Sequence, residues 1–481
     1  MVNSYPPLGL AYLAAFLEKE GHQVKIFDFG LTPDSSSEQD ISQVLDYAPD
    51  LAGLTAMTNN YHSALAIART LKDAKPLPIV IGGPHATVFP DRVIKEPSFD
   101  YLVYGEGEET LSQLVKALAE TDLRPSPARL RSIPGLSFRD GDQIVQNAAR
   151  PLIRDLDALP FPARHLFDME RYPLYAPDGQ RMITILSSRG CPYNCSYCFK
   201  GIVGRVYRQR SADNIIAEIR SIIDAYSIRN FYFIDDLFTI NSRRLKELTQ
   251  RLISEELNIL WQCLARVDKV TPDILGWMHK AGCRQIHYGI ESGNQKLLDA
   301  IGKRITLEQV RQAVKWTRDA GIMSKGYFML GLPGDTEETM EQTIQFASEL
   351  DLDEAMFSLT TPFPGTRLWD ELRQKHPGME FNADFSRAYY YNSYTAEIAP
   401  FLNVSEVSDA RLAQLAREAK ARFWESKRKH KYIRFLGRPL GTLAWQLSRI
   451  PLVRALGRWA VDSGLSRAGE KLRQGSASSW S

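Results

Sequence analysis

Three cysteines lie close together in the segment SSRGCPYNCSYCFKG, at Cys191, Cys195 and Cys198. Thiolates at this spacing are metal ligands, and three of them are one fewer than a closed zinc site or a fully ligated iron–sulfur cluster requires. The pattern therefore predicts a metal centre that keeps one coordination position open for chemistry. A zinc knuckle is the structural alternative, and its fourth ligand would be Cys263, Cys283 or a distant histidine.

The composition indicates a multidomain protein of a reducing compartment. The chain has 481 residues, of which 44% are hydrophobic, and this is enough for two or three packed cores. Only five cysteines occur, and the clustering of three of them argues against a disulfide framework. The N-terminal segment lacks the pattern of a signal peptide, so a cytoplasmic protein is expected.

Two series of alternating strand and helix patterns must position the cysteines. In the first series the strands QVKIFDF, DLAGLTAM, PIVIGG and DYLVYG alternate with helices, which predicts an α/β domain with a doubly wound parallel sheet. The second series begins at Met182 and predicts an incomplete (β/α)6 barrel. Its six strands are MITILS, NFYFID, ILWQCL, QIHYGI, SKGYFML and EAMFSLT. The cysteines follow the first of these strands, and such folds place their active sites at the carboxyl ends of strands.

These patterns divide the chain into four regions. Residues 1–125 form the first α/β domain, and the proline-rich residues 126–178 form a linker with a small hairpin. Residues 179–385 form the partial barrel, and residues 386–481 form a helical, basic C-terminal region.

The cysteine run, with Tyr197 as the aromatic residue before the third cysteine, resembles the signature of the radical S-adenosylmethionine (SAM) superfamily. The resemblance covers about residues 180–370. It implies that the three cysteines bind a [4Fe–4S] cluster whose open iron is chelated by SAM. Reductive cleavage of SAM would then give methionine and a 5′-deoxyadenosyl radical, which removes hydrogen from an unactivated position. It also implies a reducing partner such as flavodoxin or ferredoxin.

Polar residues after later strands match the family's SAM-binding elements. The resemblance assigns Asp235 and Asp236 to the SAM ammonium group, Arg266 to its carboxylate, and Glu291 and Ser292 of GIESG to its ribose. Structural alternatives stay open: a helix N-cap for the aspartates, a salt bridge for the arginine and an exposed turn for GIESG.

Two glycine-rich segments extend this pattern. Residues 327–334 resemble the family's strand beside adenine, and residues 360–366 are expected to face the substrate. Packing and turn formation are the alternatives for both.

Four N-terminal segments resemble, in order, the cobalamin-binding domain that precedes the barrel in one subgroup of this superfamily. They are PPLGLAYLAA, LTAMTNNYHSALAIA, IGGPHATVFP and YGEGEET. The resemblance implies a cobalamin crevice lined by Thr55, Met57, Thr58, Gly82, Gly83, His85, Gly105, Glu106 and Gly107. The Asp-x-His-x-x-Gly motif of other cobalamin proteins is absent, so His62 and His85 are expected to make polar contacts or shape loops. The family domain opens with an apolar central strand, whereas this sequence begins MVNSYPPLG without one, so either the sequence begins after that strand or the site is built in another way.

The C-terminal region is strongly basic, because residues 411–481 carry 16 Lys and Arg against 4 Asp and Glu. Apolar residues recur there at helical spacing, at Leu440, Leu443, Ala444, Leu447, Leu452, Val453, Leu456 and Ala460. Arginines interrupt every apolar run, which favours an interfacial helix on an anionic membrane, anchored by Trp445 and Trp459, over a membrane span. The alternative is a cap packed on the barrel with a solvated basic face. No base-reading motif accompanies the charge, so nucleic acid is not expected as a partner.

Together these patterns predict a cobalamin-dependent radical SAM enzyme that methylates an unactivated carbon of a small-molecule or lipid substrate, such as an isoprenoid or a tetrapyrrole. One alternative is an oxidative cyclase or carbon-skeleton enzyme, like the anaerobic magnesium-protoporphyrin monomethyl ester cyclase. The non-enzymatic alternative is a membrane-associated iron–sulfur or cobalamin carrier.

Overall fold

The computed structural model of the protein describes residues 5–31, 37–375, 385 and 398–448, which contain two main β-sheets. The strands are β1 Ala52–Thr55, β2 Ile79–Gly82, β3 Tyr101–Val103, β4 Leu136–Asp140, β5 Gln143–Gln146, β6 Met182–Ile185, β7 Ser188–Arg189, β8 Arg208–Gln209, β9 Asn230–Phe233, β10 Leu260–Ala265, β11 Cys283–Glu291, β12 Met323–Leu330 and β13 Glu354–Leu359. The helices are α1 Leu8–Lys19, α2 Ser37–Asp46, α3 Tyr61–Ala74, α4 Pro84–Val88, α5 Pro90–Val93, α6 Glu108–Ala119, α7 Pro127–Arg131, α8 Ala212–Tyr226, α9 Ser242–Ser254, α10 Pro272–Lys280, α11 Gln295–Ala300, α12 Leu307–Asp319, α13 Glu337–Glu349, α14 Arg367–Lys375, α15 Asp409–Leu436 and α16 Arg438–Ser448.

The first sheet has the order β1-β2-β3-β4-β5, in which β1 to β3 are parallel and β4 and β5 are antiparallel. Its strands bury both faces because side chains alternate along each strand. Ile79 and Ile81 join the core with α3, whereas Val80 joins a second core with α6 on the opposite face. The β4–β5 hairpin lies in the segment predicted as a linker, and it continues this sheet.

The predicted strand QVKIFDF is wrong. Residues 22–28 pair with no strand among the described residues, and β1 lies at the edge of the first sheet. The physical reason is that an apolar, β-branched segment becomes a strand only where a neighbouring strand accepts its backbone hydrogen bonds. Among the described residues, no strand pairs with the free edge of β1 and could accept these hydrogen bonds.

The second sheet confirms the predicted incomplete barrel. Its order is β13-β12-β11-β10-β9-β6, all neighbours are parallel, and all six predicted strands are present. Helices cover the outer face, where Tyr288 of β11 bonds Thr317 of α12 at 2.7 Å between their hydroxyl oxygens. Residues at alternate positions, such as His287 and Tyr327, therefore lie on the inner face.

The C-terminal region packs on the barrel through the first half of α15. Leu412, Leu415, Ala419 and Phe423 are buried in the core of the barrel, and α15 contacts α13 and β13. This half of the helix caps the barrel, whereas the cap alternative for the apolar positions from Leu440 onward stays a prediction. In the described part of the chain, no helix is long and apolar enough to cross a membrane. Trp459 and the apolar positions from 452 onward lie outside the described residues.

A buried carboxylate joins the barrel to the segment before it. Glu218 of α8 is fully buried between Arg164, whose Nη1 lies 2.6 Å from its Oε1, and Arg210. Burial raises the pKa of Glu218, but the two guanidinium groups outweigh this effect and hold the pKa below its usual range. Such a carboxylate stabilises the fold above the pKa it has when unfolded, and the contribution is lost as the pH falls through the depressed value.

We expect Glu218→Gln to destabilise the protein by about 3–5 kcal/mol at neutral pH, because it leaves two buried cations without their counter-charge. Thermal unfolding followed by circular dichroism measures the effect. The control is Glu247→Gln on the exposed side of α9, which should unfold like the parent. Acidification should reduce the difference in unfolding temperature between the parent and Glu218→Gln. A difference that does not change with pH would contradict the role of Glu218 as the charged partner of the two arginines.

Candidate functional site

The three cysteines lie in a loop that a short antiparallel ribbon closes. Ser188 and Arg189 of β7 pair with Gln209 and Arg208 of β8, so that residues 190–207 form one loop after the first barrel strand. Gly190 starts this loop at φ +85°, and a Cβ there would lie 2.3 Å from the carbonyl oxygen of Val206. Only glycine fits this position, because the left-handed conformation and the close approach both exclude a side chain.

Asp235 fixes the start of the loop. Its carboxylate is fully buried and accepts hydrogen bonds from the backbone N–H groups of Ser187 and Ser188 and from the Ser187 hydroxyl, each at 2.6 Å. Both carboxylate oxygens are therefore used inside the protein. Of the two aspartates predicted to bind the SAM ammonium group, only Asp236, with 43% of its side chain exposed, keeps a carboxylate that a ligand can reach.

Lys200 is a residue of the site that the sequence analysis missed. Its ammonium group lies 3.9 Å from the Asp236 carboxylate, with 15% of the side chain exposed. Burial lowers the pKa of Lys200, but the Cys198 thiol and Asp236 outweigh this effect and raise it above the usual value. The ammonium group also interacts with Cys191, so it supplies positive charge beside two of the three thiols. A lysine two residues after the third cysteine was the available sequence signal.

Tyr197 and Glu291 meet beside the cysteines, together with Lys303, a second residue that the sequence analysis missed. The Tyr197 hydroxyl donates to Glu291 Oε1 at 2.8 Å, and the Lys303 ammonium donates to the same oxygen at 2.7 Å. Glu291 reaches them from a β-bulge at the end of β11, where its φ is +72°. The cluster joins the cysteine loop to the fourth barrel strand, and a ribose at Glu291 would have to share the carboxylate with both partners.

Ser292 serves the turn that follows β11. It is buried, its hydroxyl lies 3.1 Å from that of Thr343, and it accepts a hydrogen bond from the Asn294 N–H at 3.1 Å. The hydroxyl is therefore engaged within the protein. A direct contact of Ser292 with ribose stays an untested prediction.

Arg266 supports the cysteine loop from the third strand. Its guanidinium stacks on the ring of Tyr193 at 3.6 Å from the ring centre, and it donates to Asp268 at 2.8 Å and to the Lys303 carbonyl at 2.9 Å. These contacts match the salt-bridge alternative, and the cation–π contact adds a direct hold on the loop.

His287 forms an uncharged polar group with two tyrosines, Tyr232 and Tyr327, on the inner face of the barrel. Nδ1 of His287 lies 3.2 Å from the Tyr232 hydroxyl and 3.1 Å from the Tyr327 hydroxyl, and its Nε2 lies 3.0 Å from the Gln285 side-chain oxygen. The Gln285 amide nitrogen donates to Glu354, so its oxygen must accept from Nε2–H, and Nδ1 is left as the acceptor for tyrosine. Burial, followed by Lys325, lowers the pKa of His287 to about 3, so the imidazole is neutral.

The donor set of the cysteine loop fits an iron–sulfur cluster. The five cysteines form no disulfide, and Cys195 and Cys198 interact electrostatically. In the described residues, no three His, Cys, Asp or Glu side chains lie close enough together to hold a metal as they stand. Three thiols in one glycine-started loop, with the Lys200 cation beside two of them, nevertheless match the chemistry of a thiolate-ligated cluster better than that of a closed zinc site.

The predicted cobalamin crevice lies at the carboxyl ends of β1, β2 and β3. Thr55 is exposed, Met57 is 60% exposed and Thr58 is buried. Gly82 ends β2, and Gly83 follows at φ +92°, where a Cβ would lie 2.6 Å from Thr55 Oγ1. This close approach leaves a stretch of backbone without side chains next to an exposed methionine.

His85 adds an unpaired polar atom to this crevice. The ring is buried and stacks on Tyr61 at 4.1 Å between ring centres, and its Nδ1 has no hydrogen-bond partner. Burial, followed by the nearby His62, lowers the pKa of His85 to about 4, so the imidazole is neutral. An imidazole nitrogen without a partner and bare backbone fit the amide groups around a corrin ring, and the pair supports the predicted cobalamin site.

The loop after β3 links the crevice to the cysteine loop. Gly105 donates its N–H to the Thr87 hydroxyl at 3.1 Å, and Gly107 precedes α6. Glu106, between them, turns away from the crevice and binds Arg189 and Arg208 instead. Glu106 therefore joins the two domains through its side chain, and contacts of Gly105 and Gly107 with cobalamin stay predictions.

Three loops meet at Gly365, after the sixth barrel strand. A Cβ on Gly365 would lie 2.8 Å from Val88 of the crevice helix α4 and 2.9 Å from the ring of Phe199, next to Cys198. The crevice, the cysteine loop and the predicted substrate loop 360–366 are therefore neighbours.

Two family models match the chain, one in the N-terminal α/β domain and one in the barrel. Residues 185–347 match the family model of the radical SAM superfamily, and residues 2–115 match that of the B12 binding domain. An uncharacterized methyltransferase of Pyrococcus horikoshii is 34% identical over 87% of this chain and 88% of its own. The anaerobic magnesium-protoporphyrin IX monomethyl ester cyclase of Cereibacter sphaeroides is 33% identical over 78% of this chain and 61% of its own.

A solved structure has the same fold. The radical SAM methyltransferase TsrM from Kitasatospora setae, with cobalamin and a [4Fe–4S] cluster bound, superposes with a TM-score of 0.67. The match covers 88% of this chain and 86% of TsrM at 19% identity, which supports the fold alone.

We expect Cys191→Ala, Cys195→Ala and Cys198→Ala each to contain much less iron than the parent after anaerobic reconstitution. The reason is that two thiolates do not stably bind a cluster that needs three protein ligands. Iron analysis and visible absorbance measure the loss. Cys263→Ala, at a buried cysteine in the barrel core, is the matched control and should keep its iron. Equal iron in all four variants would contradict the assignment of the cysteines.

Proposed function

The chain belongs to the radical SAM superfamily and carries its B12-binding domain, and we propose that it methylates an unactivated carbon of a biosynthetic substrate. The observation that carries this proposal is the junction at Gly365, where the crevice helix, the cysteine loop and the substrate loop touch. Cofactors held in the crevice and at the cysteines would therefore face a common space.

The bound cofactors supply a carbon-centred radical from SAM and a methyl group from cobalamin. The protein's own residues would bind these cofactors and orient them. Cys191, Cys195 and Cys198 would hold the cluster, and Asp236 would bind the SAM ammonium group by charge-assisted hydrogen bonds. Lys200 would offset the negative charge of the thiolates.

The inner face of the barrel would receive the substrate. Tyr327 and Met329 of β12 are partly exposed there, whereas Phe328 and Leu330, which alternate with them, are buried against the helices. The neutral group of His287 and its two tyrosines would offer hydrogen bonds without adding a charge. This surface suits a substrate that is largely apolar and has one oxygen function.

Oxidative cyclisation is the second candidate reaction, because the chain is 33% identical to a magnesium-protoporphyrin cyclase. For either reaction we propose a reducing protein such as flavodoxin or ferredoxin as the electron donor.

Methyl-labelled SAM separates these reactions. The protein, reconstituted with its cluster and cobalamin, is incubated with a one-electron reductant such as dithionite, with SAM carrying a CD3 group, and with lipid and pigment extracts from cells that lack the gene. We expect 5′-deoxyadenosine and a product that contains three deuterium atoms, both measured by mass spectrometry, and neither from Cys198→Ala. A product without deuterium would refute methylation and favour cyclisation, and the absence of 5′-deoxyadenosine would favour a carrier.

We further propose that the C-terminal helical hairpin binds an anionic membrane surface. In α16, Leu440, Leu443 and Leu447 lie on one face and are 63%, 52% and 46% exposed. The opposite face packs on α15, where Gly441 lies so close that a Cβ would be 2.5 Å from Ile433 Cα. Trp445 lies under the Lys429 ammonium, 5.1 Å from its ring centre, so the leucines and not this tryptophan form the exposed apolar row.

We expect the protein to sediment with vesicles of phosphatidylglycerol and to be released by high salt, because basic groups supply part of the binding energy. The triple variant Leu440→Gln, Leu443→Gln and Leu447→Gln should lose most of this binding. Ile253→Gln removes a similarly exposed side chain from α9 and should bind like the parent. Undiminished sedimentation of the triple variant would refute the proposal.

A further inference from the structure

Arg189 stands between the two cofactor-binding regions. It is two residues before Cys191, and its guanidinium binds two glutamates, one in the loop after β3 and one at the start of α6. Nη1 lies 2.9 Å from Glu106 Oε1 and Nη2 lies 2.6 Å from Glu108 Oε1. The guanidinium also lies over the ring of Tyr12 in α1, at 5.2 Å from the ring centre. A single side chain therefore spans from the cysteine loop to the edge of the crevice.

Arg208 holds the same glutamate from the other strand of the ribbon. It is the register partner of Arg189, and its Nη1 lies 2.7 Å from Glu106 Oε2. The same nitrogen donates to the Ile153 carbonyl, while the Ile153 N–H donates to Glu106 Oε2 at 2.9 Å. The Glu106 carboxylate is thus held by both strands of the ribbon and by the segment that connects the domains.

The four side chains form a closed, charge-balanced group. Two guanidinium groups face two carboxylates, and each side chain is at most 7% exposed. A buried ionic group of this kind adds little net stability over an apolar replacement, but its directional bonds define one arrangement of the parts that it joins. The fork of Arg189 fixes both the distance and the angle between the loops, which a lysine does not.

We propose that Arg189 is a positioning residue, which sets the position of the B12-binding domain relative to the cysteine loop and thereby the separation of the two metal centres. The proposal requires that both cofactors bind. It does not require that the reaction is methylation, so its failure and the failure of the proposed function are distinguishable.

The test measures that separation directly. The full chain is reconstituted with its cluster and with cob(II)alamin, the cluster is reduced, and pulsed electron paramagnetic resonance records the dipolar interaction between the two spins. The parent should give one narrow distance distribution. Arg189→Gln and Arg189→Lys should broaden it or shift it by roughly 2 Å or more, the scale of a domain rearrangement. Iron and cobalt contents should stay close to those of the parent.

Arg150→Gln is the matched control. Arg150 also forms a fork onto α6, with contacts of 2.8 Å to Glu109 and 2.7 Å to Thr110, but these contacts do not involve the cysteine loop. This variant should keep the narrow distribution. Broadening in Arg150→Gln as well as in Arg189→Gln would overturn the proposal, because it would show a general loss of rigidity.

Glu108→Gln is the second variant, used if the arginine variants do not take up cofactors. It weakens the contact of Arg189 with α6 by changing the partner residue, and it leaves Arg189 bound to Glu106. A shifted or broadened distribution in Glu108→Gln supports the proposal. An unchanged narrow distribution in Arg189→Gln would overturn the proposal. If the arginine variants do not bind both cofactors, an unchanged narrow distribution in Glu108→Gln would overturn it instead.

Discussion

The buried carboxylate of Asp235 is the constraint on which the rest of the site depends. It accepts hydrogen bonds of 2.6 Å from the backbone N–H groups of Ser187 and Ser188 and from the Ser187 hydroxyl, and these fix the path of the chain as it leaves the first barrel strand. Arg189 and Gly190 follow directly, so the same anchor determines where the guanidinium points and where the cysteine loop begins. A continuous series of directional contacts thus runs from the second barrel strand to the crevice of the other domain.

Charges around the cysteine loop are compensated by nearby partners. Glu291 is paired with Lys303, Arg266 with Asp268, and Asp236 faces Lys200. Pairing of this kind offsets the cost of removing charged groups from water and leaves no large net charge. Asp236 and Lys200 form the loosest of these pairs at 3.9 Å, and the aspartate is the most exposed member of the six. Asp236 is therefore the carboxylate of these pairs that a ligand can reach most easily.

The barrel was predictable from the sequence because each of its strands and helices has a recognisable pattern within a short segment. Each strand is a short apolar run followed by a helix, and a parallel sheet needs little more than that alternation. The cysteine loop was equally predictable, since all three thiols lie within one short segment. The strand predicted at QVKIFDF shows the limit, because its apolar pattern was correct but a strand also requires a neighbour that only the tertiary structure supplies. The β4–β5 hairpin was placed in a linker because nothing in its sequence shows which sheet it joins.

Side-chain roles were less predictable than positions. Asp235 and Asp236 are adjacent and chemically identical, yet one is an internal anchor and the other faces outward, which depends on which way each side chain leaves the strand end. Glu106 lies in a glycine-rich loop at the predicted crevice, but its partners are 83 and 102 residues away in sequence. Lys200 and Lys303 were missed because lysines are usually exposed, and only the fold shows that these two point inward.

We conclude that one chain holds an iron–sulfur cluster and cobalamin next to each other. The most direct measurement is the metal content of the full chain after anaerobic reconstitution with iron, sulfide and cobalamin, followed by gel filtration. We expect iron and cobalt in a ratio of about four to one, as one [4Fe–4S] cluster and one cobalamin per chain require. A protein that retains the iron but no cobalt would show that the crevice at Gly82 and Gly83 is not a cobalamin site.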